Sequence, residues 1–282
     1  MSFNFVSVLD YGLAPAAEVF TRGFSDYFVK IVGSPAMLVH MARIDSVDLA
    51  ASKIVLRDGV AVGAALMARR GWTCRLAGMA VVPEGRRQGA ARAMVEHLLC
   101  EAQARRDRAM VLEVIEPNEP GVRLYEACGF RRVRRLVGFV SAADAEREAD
   151  PGEAKLEEID LRRVGTKIAA CSRLDLPWQL SGETVAQLGP PHRGFICGHA
   201  GLAIGDPEGG SVGIRTLAAE GMEANPERGA EVLRAVQAKF PGKEWRMSAL
   251  WPEELAPVFT GAGFTRTPLS QWQMECPLEA VG

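Results

Sequence analysis

Arg86-Arg87-Gln88-Gly89-Ala90-Ala91 sets two guanidinium groups, one amide and three small residues in a row, and Arg92 follows directly. That order suits an anion. The N–H groups at the start of a helix lack intrahelical partners and carry partial positive charge, so a phosphate or pyrophosphate settles against them where small residues let it approach. Gly89, Ala90 and Ala91 supply the smallness, and Arg86 and Arg87 the charge. The string Arg-x-x-Gly-x-Ala also occurs at residues 75–80, within a stretch that reads as a strand and so has no free helix terminus. The bare letters suit a structural turn as well, so the meaning depends on the elements around them.

Those elements are legible from periodicity. Asn4 to Leu9 reads as a strand, Ala14 to Phe24 as a helix and Ser34 to Ile44 as a second helix. Ala51 to Leu56 and Val60 to Ala68 flank Asp58-Gly59, the signal of a β-hairpin. Arg75 to Val82 is the next strand, and Pro83 ends it. From Gly89 to Ala104 the apolar residues Ala90, Met94, Leu98 and Ala102 keep helical spacing, so the anion-seeking turn opens a helix. Ala109 to Val114 is a strand. A helix from about Asn118 stops at Gly129, because glycine accepts the left-handed conformation that ends helices, and Phe130 to Val140 is a strand.

A chain of 282 residues is long for one compact domain, and the stretch from Ser141 to Asp160, rich in Ala, Asp and Glu around Pro151-Gly152, reads as a linker. The division predicted is 1–145 and 146–282. Beyond the linker, Arg193 to Ile204, Ser211 to Leu217 and Glu244 to Leu250 read as strands, and Glu227 to Phe240 and Pro252 to Ala262 as helices. LYEACGF at 124–130 aligns with VFTGAGF at 258–264, the mark of a duplicated fold.

Composition excludes more than it selects. With 48% hydrophobic and 24% charged residues and a formal charge of −2, the chain has no basic field for nucleic acid or a membrane surface. The first residues have no basic and apolar leader, and no run of about eighteen apolar residues spans a bilayer, so the expected compartment is the cytoplasm. Six cysteines form no C-x-x-C pair, and His192, Cys197 and His199 match no zinc spacing, so no metal is expected. Arg131, Arg132, Arg134 and Arg135 form a basic cluster without interleaved aromatics, which reads as a solvated strand face with local ion pairs. A dinucleotide fold is excluded, because the glycine turn follows several strands and no G-x-G-x-x-G opens the chain.

MAVVPEGRRQGAARAM at 79–94, taken with VLEVIEPNEPGVRLYEACGF at 111–130, resembles the GNAT superfamily of N-acetyltransferases. The Leu-Glu-Val strand is similar to the branch that acetylates alanine at a ribosomal protein's N-terminus. The resemblance implies two α/β (α+β) domains, each a central mixed β-sheet flanked by helices, of which 1–145 is catalytic and 146–282 degenerate. It implies acetyl-CoA as cosubstrate and a small-molecule or peptide amine as acceptor, and it allows a homodimer.

Residue by residue, the resemblance puts acetyl-CoA against Ala80, Val81 and Val82 of a splayed strand, against Arg86 to Arg92, and against Asn118. Ala80 to Val82 would give the N–H that holds the thioester oxygen, worth about 3 kcal/mol in such sites. Tyr125 would give a proton to the departing thiolate, whose reference pKa is about 8.5, since a phenol near 10 is still protonated. Glu113 would serve as general base, directly or through water, because only on the order of one lysine-type amine in a thousand is neutral at pH 7. Plainer roles fit the same residues: a packed tyrosine at 125, a salt-bridged carboxylate at 113 and a helix cap at 118. Asp26, Tyr27 and Phe28, with Phe24, lie where the family places the acceptor, though core packing suits them too. In the second half, Phe259 replaces Tyr125, Pro252 replaces Asn118, and Pro226-Glu227-Arg228-Gly229 replaces the arginine turn. The competing implication is a protein that binds acyl-CoA in a regulatory role and transfers nothing.

Overall fold

The computed structural model describes residues 2–29, 31–143, 155–171 and 176–278. The chain forms two compact units, Met1–Val133 with Trp272–Gly282, and Arg134–Gln271. The 145/146 boundary and Pro151-Gly152 lie outside the described residues. The units are interleaved along the chain, since the last residues of the sequence belong to the first unit.

In the first unit, β1 (Phe3–Ser7), the short α1 (Val8–Tyr11), α2 (Leu13–Gly23) and α3 (Pro35–Ile44) precede β2 (Val47–Arg57), β3 (Val60–Arg70) and β4 (Thr73–Val81). Then come α4 (Ala90–Ala104), β5 (Ala109–Ile115), α5 (Glu119–Ala127) and the start of β6 (Arg131–Ser141). The expected elements are present, with ends moved by a few residues. Asp58 and Gly59 both have positive φ, 51° and 78°, which is the two-residue turn that matches strand twist. Strands β1 to β4 pair antiparallel in order, and β5 joins β4 in parallel. The neighbour of β5 is β12 (Thr265–Pro277), whose residues from Trp272 belong to this unit. Met94 and Leu98, one helical turn apart on α4, are buried in the core with Ile54, Leu66, Met67 and Met110.

In the second unit, β7 (Glu157–Ile159), α6 (Leu161–Cys171) and α7 (Gly182–Ala186) precede β8 (Arg193–Cys197), β9 (Ala200–Ile204) and β10 (Ser211–Ala219). They are followed by α8 (Glu227–Lys239), β11 (Glu244–Pro252) and α9 (Ala256–Gly261). Its strand order is β6-β11-β10-β9-β8-β7, antiparallel except for the parallel pair β10 and β11. The single strand expected over Arg193 to Ile204 is two, because Gly198 turns at φ 54° and folds β9 back on β8. The helix expected from Pro252 is shorter: β11 runs through Pro252 and a 3-10 turn at Glu253–Leu255 precedes α9.

Each unit thus completes its sheet with a strand that follows the other half's last helix. β6 follows α5 and pairs with β11, while β12 follows α9 and ends beside β5.

Candidate active site

The parallel ladder between β4 and β5 runs from Thr73↔Ala109 to Leu76↔Leu112 and stops, although β4 continues to Val81 and β5 to Ile115. Ala77 is the extra residue of a bulge, since Leu66 opposes Gly78 while Met67 opposes Leu76. A bulge bends and twists its strand, which turns the last residues of β4 away from β5 and opens a slot. The Val82 N–H donates to the Val62 carbonyl at 3.0 Å, and Ala64 opposes Ala80. Antiparallel alternation therefore commits the N–H groups of Ala80 and Val82 to β3 and points those of Met79 and Val81 to the open side. Of Ala80 to Val82, Val81 is the residue that presents its amide, and Met79 presents another that the sequence reading passed over. The signal that would have found it is the register with β3, which the hairpin sets.

At the far end of β4, Gly89 takes φ 86° as the N-cap of α4, with no side chain capping the first turn. The amides there are open to a ligand. Arg87 is exposed with φ 59° and makes no hydrogen bond or ion pair among the described residues. Arg86 is engaged otherwise: Nη1 and Nη2 donate to the two Asp26 oxygens at 2.6 Å each, Nη2 to the Gly23 carbonyl at 3.2 Å, and Nε to the Val81 carbonyl at 3.1 Å. Those hydrogen bonds, with the nearby charge, hold the Asp26 carboxyl below its ordinary pKa. Arg22 pairs with Glu84 beside them, so the end of α2 is clasped to the turn. Gln88 donates to the Glu84 carbonyl at 2.9 Å, and Arg92 pairs with Glu96 along the exposed face of α4. Ala90 is buried and Ala91 half-buried.

Across the slot, Asn118 caps α5. Its Oδ1 accepts the Gly121 N–H at 3.2 Å, and Pro120 in the first turn has no N–H that would need a partner. Burial raises the Tyr27 pKa, and the neighbouring Asn118 side chain opposes the rise. Tyr125, two turns along α5, is 9% exposed and packs edge-on against Phe130 with ring centroids 5.7 Å apart. Burial, then the neighbouring Tyr27 and Cys128, push its pKa well above the ordinary value, so the phenol keeps its proton at any working pH. Asn118, Tyr27 and Tyr125 thus form one cluster.

Glu113 is drawn into a buried ion pair. Its Oε2 accepts from Arg75 Nε at 2.8 Å and Nη2 at 2.7 Å, and the side chains are 3% and 7% exposed. Glu113 is the residue after the last β4–β5 pair, so this ion pair lies at the mouth of the splay. The second copy of the arginine string, inside β4, supplies the arginine.

The basic cluster is absorbed by ion pairs: Arg131 with Glu275, Arg132 with Glu126, Arg134 with Glu254 and Arg135 with Glu253.

The second unit's parallel ladder is also short and ends at Gly213↔Arg246. Trp251 and Phe259 are fully buried, with Phe259 stacked on Phe139 at 4.8 Å and edge-on to Trp251 at 4.9 Å. The start of α8 has Pro226 as its N-cap and Glu227 in the first turn, with the Glu227 N–H already given to Asn225. A negative charge at that place disfavours phosphate.

Residues 22–130 match the profile of the Acetyltransferase (GNAT) family. No curated protein matches the chain in sequence. Among solved structures, a GCN5-related N-acetyltransferase from Sphaerobacter thermophilus superposes with a TM-score of 0.68 at 13% identity, covering 98% of this chain and 96% of that one. A GCN5-related N-acetyltransferase from Kribbella flavida gives 0.62 at 15% identity over 97% and 70%. A tandem GNAT protein from the clavulanic acid biosynthesis pathway gives 0.59 at 14% identity over 99% of both chains. At such identities the likeness is one of fold, and the fold is that of tandem GNAT proteins. No helix among the described residues is long and apolar enough to cross a membrane.

Proposed function

We propose, from the GNAT acetyltransferase domain at residues 22–130, that the first unit binds acetyl-CoA in the β4–β5 slot and transfers its acetyl group to a primary amine by direct attack on the thioester. The observation that carries this reading is the early end of the ladder at Leu76↔Leu112. It leaves backbone groups of β4 unpaired on the side facing an uncapped helix N-terminus, and unpaired backbone groups call for a partner. An extended pantetheine-like arm offers amide groups to pair with the edge of β4, and its pyrophosphate fits the first turn of α4.

Acetyl-CoA supplies an activated acyl group. The chain's own residues do the rest. The Met79 and Val81 N–H groups stand where charge on the carbonyl oxygen would be held. Tyr125, kept protonated by burial, gives its proton to the leaving sulfur. Arg87 and the first turn of α4 hold the phosphates, and Arg86 positions the turn by clasping Asp26 and Gly23. Asn118 fixes the start of α5 by accepting from the Gly121 N–H. Glu113, whose Oε2 accepts from Arg75, takes the amine's proton directly or through water. The second unit, in which Phe259 stands at the place of Tyr125 and is buried with Trp251, takes no cofactor.

Calorimetric titration of acetyl-CoA tests this. Wild type is expected to bind in the micromolar range, and Arg87→Glu, an exposed change that keeps a non-glycine residue at the same backbone angle, to bind at least tenfold more weakly. Equal binding by both proteins would remove the phosphate seat from this turn. Tight binding without transfer to any amine would favour the acyl-CoA-binding regulatory role instead.

A further inference from the structure

We propose that the acceptor is an arylalkylamine, a primary amine with one positive charge on an aromatic body, seated on the apolar segment that leads outward from Tyr27; this rests on the acetyl-transfer reading above. The rings of Phe20, Phe24, Tyr27 and Phe28 form a ladder, with successive centroids 4.7, 5.0 and 5.4 Å apart and the last two contacts at 80°. Its inner end is buried at Phe20 and Phe24. The segment is held against the splayed end of β4: the Phe20 ring lies 3.0 Å from where a Cβ would stand on Gly78, and Arg86, bound to Asp26, donates to the Val81 carbonyl at 3.1 Å. The outer end is open: Phe28 is 55% exposed, and Val29 and Val32 are exposed near it in sequence. Large apolar side chains grouped at a surface mark a binding site, and an edge-to-face ladder is extended most favourably by another ring.

Charge narrows the class. Asp26 is paired with Arg86, Glu84 with Arg22, Glu113 with Arg75, and Glu119 with Arg123. The carboxylates of the clasp, the splay and the first turn of α5 are thus neutralised by the protein itself. A polyamine or an aminoglycoside brings several ammonium groups, each of which loses hydration unless a carboxylate receives it. Among the described residues from Phe20 to Val32, Asp26 is the one carboxylate, and Arg86 already holds it. An arylalkylamine brings one ammonium, which must lose its proton before attack and then asks for no counter-charge.

The test follows release of free thiol from acetyl-CoA with three acceptors, 2-phenylethylamine, spermidine and kanamycin, beside calorimetry of acetyl-CoA alone. The expected result is a kcat/KM for 2-phenylethylamine at least tenfold above the other two. Phe28→Ser should raise its KM about tenfold, as loss of an apolar contact in a specificity pocket does, with kcat and the Kd of acetyl-CoA unchanged. Val60→Ser, which removes another exposed apolar side chain, at the β2–β3 turn, should leave KM unchanged. Preference for spermidine or kanamycin, or a KM indifferent to Phe28→Ser, would overturn the inference. Acetyl-CoA binding without turnover of 2-phenylethylamine overturns the substrate class and spares the cofactor site, whereas absence of acetyl-CoA binding removes both.

Discussion

The two units share a plan and differ in the side chains that stand beyond the end of their parallel ladders. In the first, β4 and β5 part after Leu76↔Leu112, and the space is bordered by Tyr125, Asn118 and an uncapped helix start. In the second, β10 and β11 part after Gly213↔Arg246, and Phe259, at the place of Tyr125, is buried between Trp251 and Phe139. The ends of the two repeats still make the same bonds: the Phe130 N–H donates to the Tyr125 carbonyl and the Phe264 N–H to the Phe259 carbonyl, both at 3.0 Å. Gly129 and Gly263 both turn with positive φ, 94° and 78°. The backbone that makes a slot has therefore outlived its contents in the second unit. A splayed pair of strands is a feature of the fold, and the side chains around it decide whether it becomes a binding site or a core.

If either half folded alone, the two units would be independent rather than interleaved. A fragment of residues 1–145 retains β5 but not Trp272–Leu278, the piece of chain that belongs to the same unit and lies beside it. In the intact protein the Leu278 N–H donates to the Arg108 carbonyl at 2.8 Å, and Cys276 packs 3.6 Å from where a Cβ would stand on Gly129. Without that strand the β5 backbone loses its hydrogen-bonding partner on one edge, and the buried side chains of Met110, Leu112 and Val114 lose cover. The fragment is expected to show no cooperative thermal transition by near-ultraviolet circular dichroism, while the full chain shows one. A cooperative transition in the fragment would mean that the first half holds itself together.

This exchange also marks the limit of what the sequence reveals. Local chemistry was legible: Gly89 at the start of α4, Asn118 as a cap, Gly129 as a stop and Asp58-Gly59 as a hairpin turn each depend on a few neighbouring residues. The repeat at 124–130 and 258–264 announced two related units. What stayed hidden depends on pairing across long separations. That residues 272–277 lie beside β5 cannot be read from their own alternation, because a strand's pattern gives its faces and not its neighbour. The same reason hid Met79, whose amide faces the slot through the register of β4 on β3, and the pairing of Arg86 with Asp26, 60 residues apart. The break at Gly198 was missed because Arg193 to Ile204 reads as one apolar run.

Tyr125 and Phe259 differ by the hydroxyl that would donate a proton. Burial raises the Tyr125 pKa, and a raised phenol pKa means the donor form persists as pH climbs past 10. The rate of acetyl transfer is therefore expected to rise with pH as the amine loses its proton, and to show no fall from phenol ionisation up to about pH 10. Tyr125→Phe, which makes the first unit like the second at this position, should lower kcat about a hundredfold at every pH in that range. Steady-state rates between pH 6 and 10 decide it. Equal rates for the two proteins would show that Phe259 marks no loss of chemistry.

The smallest effect belongs to the clasp between α2 and the arginine turn, for which the second unit has no counterpart in its sequence. Arg86 spends its guanidinium on Asp26, Gly23 and Val81 rather than on a ligand. Asp26→Asn keeps the shape and removes the charge, so it frees Arg86 to face an incoming phosphate while loosening the segment that carries Tyr27. Both partners are largely exposed, and exposed ion pairs contribute little, so stability should barely change. The Asp26 carboxyl is held below its ordinary pKa, which means that the pairing is present above that value and fails only as pH falls through the lowered one. Across pH 6 to 9 it is constant, and wild type and variant should keep a fixed ratio of affinities. Acetyl-CoA should bind the variant a few-fold more tightly, whereas the KM of the amine should rise, because the clasp sets the place of the aromatic ladder. Calorimetry and steady-state kinetics at pH 6 and 9 separate these effects: a variant that binds the cofactor more weakly would mean that Asp26 holds Arg86 in the position the phosphate needs.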